Sequence, residues 1–139
     1  MYPYRYEVSL RLWHPTRNLA SATKIFGVKP WRSWKFGEPR ITPRGTALSG
    51  TYPNSYWTAR LTDGKAGSKK ELIERFLSRH VQRFSKARAF LSRLQSSGGR
   101  AEFFVGLYGS RNFAVELPPE LLRSAARLGV AVTFDVYPT

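Results

Sequence analysis

From Ser68 to Ser96 the apolar side chains Ile73, Phe76, Leu77, Val81, Phe84, Ala87, Leu91 and Leu94 recur at helical spacing. A stripe with a period of 3.6 residues has to be buried against another layer. Ser68 with Glu71 three residues on reads as a capping box, and Gly98-Gly99 as a stop, so the pattern predicts one long helix over 68–96. The amino-terminal segment offers that other layer. Tyr4, Tyr6, Val8, Leu10 and Leu12 alternate with Arg5, Glu7, Ser9 and Arg11. A period of two predicts a strand with one apolar and one polar face.

The remaining segments divide in the same way. His14-Pro15 ends the first strand, and Thr16 or Asn18 caps a short helix with Leu19, Ala22, Ile25 and Phe26, stopped by Gly27. Residues 28–46 are broken by Pro and Gly and read as irregular, with short strands near Pro39–Thr42 and Ala47–Leu48. Ser55–Leu61 favours a pleated surface, and Asp63-Gly64-Lys65-Ala66-Gly67 reads as a turn. Ala101–Tyr108 and Phe113–Leu117 read as two strands of a hairpin turning at Gly109-Ser110-Arg111-Asn112. Pro118-Pro119-Glu120 opens a last helix ending at Gly129, and Val130–Val136 closes as a strand. The order predicts a single α+β domain over 1–139: a mainly antiparallel sheet with helices packed on one face, in a ferredoxin-like or related split β-α-β arrangement.

Composition removes some chemistry. The 139 residues contain no cysteine, so disulfides and thiolate catalysis are excluded. No apolar run approaches the roughly 20 residues that span a bilayer, and the amino terminus lacks a signal-peptide core, so a cytoplasmic protein is expected. The formal net charge is +14. Such a field attracts phosphate backbones, anionic membrane surfaces or an acidic protein partner, although Arg-rich composition alone also produces it.

Several motifs resemble a known family. These are Tyr4-x-Tyr6-x-x-x-Leu10-Arg11-Leu12 with His14-Pro15, and Gly27-Val28-x-Pro30-x-x-Ser33-Trp34-x-x-Gly37-Glu38-Pro39-Arg40. Pro43-x-Gly45, Gly50-x-Tyr52, Ser55-Tyr56-Trp57, Leu117-Pro118-x-Glu120-Leu121-Leu122 and Phe134-Asp135-Val136-Tyr137 follow. Together they resemble the bacterial domain-of-unknown-function family number 4279 over nearly the whole chain. The resemblance implies a single-domain cytoplasmic α+β protein and carries no catalytic residue with it. The strong basicity is not part of that pattern.

Catalytic and metal signatures are sparse. His14 and His80 stand 66 positions apart, and neither has ligand-like neighbours. His80 reads as a histidine at the core edge, and His14 as a turn residue, so no catalytic residue, metal or cofactor is assigned. The segment from Val28 to Trp57 is the expected working surface. It interleaves Trp31, Trp34, Phe36, Tyr52, Tyr56 and Trp57 with Lys29, Arg32, Lys35, Arg40 and Arg44. Trp57 and one of Trp31 and Trp34 are expected in the core. The candidate contacts are Arg32, Trp34, Lys35, Arg40 and Tyr56. A second candidate is a cationic ridge on the long helix formed by Arg75, Arg79, Arg83, Lys86 and Arg93, with Glu71 and Glu74 expected on another side. The leading expectation is a non-enzymatic binding domain for a protein partner, of immunity type or another kind. Nucleic acid is the alternative, then a small pocket or enzyme near His14. Exposed strand edges also allow a homodimer.

Overall fold

The structure, a computed structural model, describes residues 2–138. Strand β1 (Arg5–His14) is the middle of the sheet. Its even-numbered side chains are buried and its odd-numbered ones are not, as the alternation requires. Antiparallel β5 (Ser55–Arg60) lies on one side and antiparallel β7 (Arg100–Gly109) on the other. β2 (Arg32–Trp34) adds outside β5, and β8 (Ala131–Pro138) adds outside β7, giving the order β2-β5-β1-β7-β8. A two-residue strand, β6 (Ala66–Gly67), pairs with the start of β1 on the side away from β7. β3 (Pro39–Ile41) and β4 (Ala47–Thr51) form a separate two-stranded ribbon.

Helices cover one face. They are α1 (Ala22–Phe26), α2 (Ile73–Arg83), α3 (Arg88–Ser96) and α4 (Pro119–Leu128). β5 and β7 run in the same direction with β1 between them, and α2–α3 makes the crossover. That is the split β-α-β arrangement expected from the element order. α4 then connects β7 to its parallel neighbour β8, so the complete order of elements differs from the β-α-β-β-α-β of ferredoxin-like domains. The α+β class, with a mainly antiparallel sheet, stands as expected.

The core lies between the helices and the even face of β1. Leu10, Leu12, Phe103 and Trp57 are fully buried. Phe84 of the α2–α3 junction packs on Phe103, Phe76 on Tyr6, and Phe26 of α1 on Trp57. Burying a side chain of this size contributes about 1.5–3 kcal/mol. Trp57 keeps its one polar group satisfied, since Nε1 donates to Thr23 Oγ1 at 3.1 Å. The chain leaves α1 through Gly27, at φ +66°, a left-handed cap that suits glycine.

Four sequence expectations are corrected. The helix over 68–96 is two helices, joined by a 3₁₀ turn at Ser85–Ala87. A 3₁₀ turn repeats every three residues, so Phe84 and Ala87 both still face the core, and the apolar stripe reads as unbroken. The capping box is absent: the first helix starts at Ile73, and Ser68 Oγ accepts a hydrogen bond from Tyr4 N–H at 2.9 Å instead. Phe113–Leu117 is not a strand. Phe113, Val115 and Leu117 alternate because one side of an extended chain packs on the core, with the Phe113 ring stacked on Tyr4 at 4.8 Å. Alternation reports one-sided burial and says nothing of backbone pairing. β2, in a segment read as irregular, is a genuine strand, with Arg32↔Thr58 and Trp34↔Tyr56 in register.

Candidate functional site

Among the described residues no helix covers the odd face of the sheet. Strand register fixes what stands on it. Trp13 of β1 lies opposite Tyr56 of β5, which lies opposite Trp34 of β2. The rings form a ladder. Trp34 stacks on Tyr52 at 4.4 Å and 9°, Tyr56 follows Trp34 at 4.7 Å, and Trp13 follows Tyr56 at 5.4 Å. Arginines lie over the aromatic faces: Arg32 over Trp34 at 4.8 Å, Arg100 over Trp13 at 5.1 Å and Arg11 over Phe104 at 3.6 Å. At the rim, Arg60 covers Trp31 at 4.3 Å. Each such contact is worth about 0.5–1 kcal/mol where exposed.

The β3–β4 ribbon stands beside the ladder and encloses a cleft of about 660 Å³ with it. Trp13, Arg32 and Trp34 line one wall, and Arg40, Ile41, Leu48 and Tyr52 the other. Ile41 ties the ribbon to its surroundings. Tyr52 Oη donates to the Ile41 carbonyl at 2.9 Å and accepts from Ile41 N–H at 3.1 Å, while Arg32 Nη2 donates to the same carbonyl at 3.1 Å. Trp34 Nε1 is buried beside this cleft without a hydrogen-bond partner.

Charge is unevenly spread over this face. Its carboxylates, Glu7, Glu102 and Asp135, stand on β1, β7 and β8 and are all engaged. Glu7 accepts from Tyr108 Oη at 3.0 Å, Glu102 accepts from Arg100 at 3.2 Å and from Thr133 Oγ1, and Asp135 accepts from Tyr137 Oη. β2, β5 and the ribbon carry no carboxylate; Glu38, just before the ribbon, is turned onto Lys35 N–H at 2.6 Å. Among the described residues the side-chain ion pairs are Arg79–Glu71 and Arg100–Glu102, so Arg11 and Arg32, half-buried, and Arg40 and Arg60, exposed, have no acidic partner.

The expected contact residues therefore separate. Arg32, Trp34 and Arg40 line the cleft, and Tyr56 stands between Trp34 and Trp13 in the ladder. Lys35 lies in the turn after β2, exposed and outside that lining. Trp57 is in the core, Trp34 is half-buried, and Trp31 is 52% exposed. Sequence reasoning did not select Trp13, Arg11, Arg60, Arg100 or Phe104. The usable signal was Trp13 itself, a large aromatic on the polar face of an otherwise alternating strand.

The ridge changes more. Arg75, Arg79 and Arg83 lie on α2, Lys86 in the 3₁₀ turn and Arg93 on α3, all exposed on the helical layer. The break between helices means that a single straight row does not form. Glu71, expected on another side, instead grips Arg79 in two hydrogen bonds of 2.8 and 3.1 Å. That contact holds the Glu71 carboxyl below its usual range and raises the Arg79 guanidinium.

Both histidines are occupied structurally. His14 Nδ1 accepts from Thr16 N–H at 3.0 Å and Arg17 N–H at 2.8 Å, so Nε2 carries the proton and donates to Ser97 Oγ at 2.9 Å. Burial, then the charge of Arg17, lowers its pKa, with Ser97 opposing. His80 Nδ1 donates to the Phe76 carbonyl at 3.0 Å, and burial lowers its pKa as well. Both shifts favour the neutral ring. Among the described residues no three His, Asp or Glu side chains cluster as metal ligands, and no helix is long and apolar enough to cross a membrane.

The model of a protein family, a domain of unknown function (DUF4279), matches residues 4–139. Comparison with curated proteins and with solved structures returns no match.

Proposed function

The chain belongs to the DUF4279 family, and we propose that it is a cytoplasmic, non-enzymatic binding domain whose ligand is single-stranded nucleic acid. One observation carries the reading: the uncovered sheet face joins a ladder of aromatic rings to arginines that lack acidic partners. Aromatic planes take bases, and unpaired guanidiniums take phosphates. Duplexes suit this surface poorly, because their bases are already stacked. The strand enters at the ribbon cleft, where Trp34, Arg32 and Arg40 converge, and crosses Tyr56 and Trp13 toward Arg11 and Phe104. The carboxylates of β7 and β8 turn it away from the far edge. Bases reach the rings by displacing the arginines now lying on them, which then turn to the phosphates.

The test is quenching of tryptophan emission by unlabelled oligonucleotides. Trp13, Trp31 and Trp34 are at or beside the face, while Trp57 is sealed in the core. Quenching that disappears when Trp13, Trp31 and Trp34 are replaced by Phe supports the reading; quenching that survives in the Trp57-only protein removes it.

A protein partner is the second reading. It is favoured by the exposed Trp31, Phe36, Ile41 and Leu48 around the same ribbon. Binding by this route would be insensitive to excess oligonucleotide and lost in Ile41→Asp/Leu48→Asp.

A further inference from the structure

We propose that the cleft at the Arg5 end of the sheet is a site for a phosphate monoester group. It lies at the opposite end of β1 from Trp13 and does not depend on the nucleic-acid reading. The cleft has a volume of about 440 Å³, and its walls include Arg5, Lys65, Lys69, Ser68, Ser110 and Tyr108. No carboxylate lines it.

The local chain holds these groups in place. Gly64, at φ +69°, turns the chain into β6, and β6 pairs with β1 so that Gly67 faces Arg5. Ser68 then closes on Tyr4 twice: its N–H donates to the Tyr4 carbonyl at 3.0 Å, and its Oγ accepts from Tyr4 N–H at 2.9 Å. The Ser68 hydroxyl hydrogen remains free to donate. Lys65 and Lys69 thus flank a fixed two-residue strand, with Arg5 across from it.

The floor is fixed too. Tyr108 stacks on Tyr137 at 4.9 Å and donates to Glu7 at 3.0 Å, and Lys65 Nζ sits 4.0 Å above the Tyr108 ring. The nearest acids along the chain are Asp63, exposed in the preceding turn and outside the lining, and Glu71, which is taken by Arg79. Gly67 contributes space: a Cβ built there meets nothing within 4 Å. Three cations around one opening repel one another until an anion enters. A phosphate monoester carries about −1.5 to −2 at pH 7 and three acceptor oxygens, which suits three cations and hydroxyl donors better than a single carboxylate does.

Such a group arrives either as a free phosphorylated molecule or as the terminal phosphate of a strand. The experiment separates these sources. Amide shifts of Gly67, Ser68 and Lys69 are followed while inorganic phosphate is titrated at constant ionic strength. In parallel, 5′-phosphorylated and 5′-hydroxyl oligonucleotides of one sequence are compared. Two variants are used, both checked by thermal melting: Lys65→Gln/Lys69→Gln removes charge, and Gly67→Val fills the cleft with every charge kept. Saturable phosphate shifts weakened at least tenfold in both variants establish a site for free phosphate. A preference of at least tenfold for the 5′-phosphorylated strand, lost in both variants, assigns the strand terminus. The proposal is overturned if neither probe saturates, if the double variant is unaffected, or if the charge variant loses binding while Gly67→Val keeps it. That last result would mark only a diffuse positive field.

Discussion

Replacing Arg11, Arg32 and Arg60 by Gln should lower the salt dependence of oligonucleotide binding more than removing three cations from the helical layer. All three stand on or beside the open sheet face and lie outside the two ion pairs. On a single strand each neutralised phosphate contributes about 0.7 to the salt exponent, so a rise from about 50 to about 200 mM costs about 2.6-fold in affinity per contact. Three contacts multiply to about 18-fold, and the exponent of the triple variant should fall by about 2. The matched control is Arg75→Gln/Arg83→Gln/Lys86→Gln, which leaves the Arg79–Glu71 pair intact. Both triples lower the net charge from +14 to +11. Any effect of the overall field is therefore shared, and the difference between them measures location. The assay is fluorescence anisotropy with a labelled single strand over a salt series, with thermal melts showing that both variants fold. Equal exponents in the two variants, or the larger drop in the helical triple, would refute the sheet-face reasoning.

Other outcomes follow from the same geometry. Trp34→Ala should weaken single-strand binding by about 1–3 kcal/mol, the value of one base–aromatic stack, with a smaller effect on duplex, measured by the same titration. Gly99→Ala should destabilise by about 1–3 kcal/mol in urea unfolding, the usual cost of overpacking, because a Cβ there would sit 2.6 Å from the Trp13 carbonyl oxygen and 2.7 Å from Leu94. Stability should fall as pH drops below 6.5. His14 and His80 have folded pKa values lowered by burial, so below 6.5 the unfolded chain binds protons that the folded one does not. Each histidine contributes a slope of at most about 1.4 kcal/mol per pH unit, ending at its folded pKa. A melting temperature flat from pH 7 to pH 5 would contradict this.

Much of the architecture was readable because it rests on local periodicity. The alternation of Tyr4 to Leu12 gave β1 with the correct buried face, and Pro119 with Gly129 bracketed α4. The break at Phe84 was hidden because the 3₁₀ turn preserves the facing of Phe84 and Ala87. The strand assigned at Phe113–Leu117 failed because its apolar residues pack by side chain alone. Of the candidate site, Arg32, Trp34, Arg40 and Tyr56 were visible as an unusual local mixture. Trp13 was not, since its pairing with Tyr56, 43 residues later, is a matter of sheet register. Arg11 reads from sequence only as a residue of the polar face of the first strand. Its place over Phe104, on the neighbouring strand, depends on the β1–β7 pairing.

The most direct measurement is the affinity of one sequence as a single strand and as a duplex, at about 50 and about 200 mM salt, the range over which purely electrostatic binding collapses. The account predicts that single-strand binding weakens at the higher salt but remains measurable, stays tighter than duplex binding, and depends on Trp34. Equal affinity for both forms, abolished together at the higher salt, would contradict it. The +14 charge would then act as a nonspecific field, and the ribbon would be a protein-binding surface.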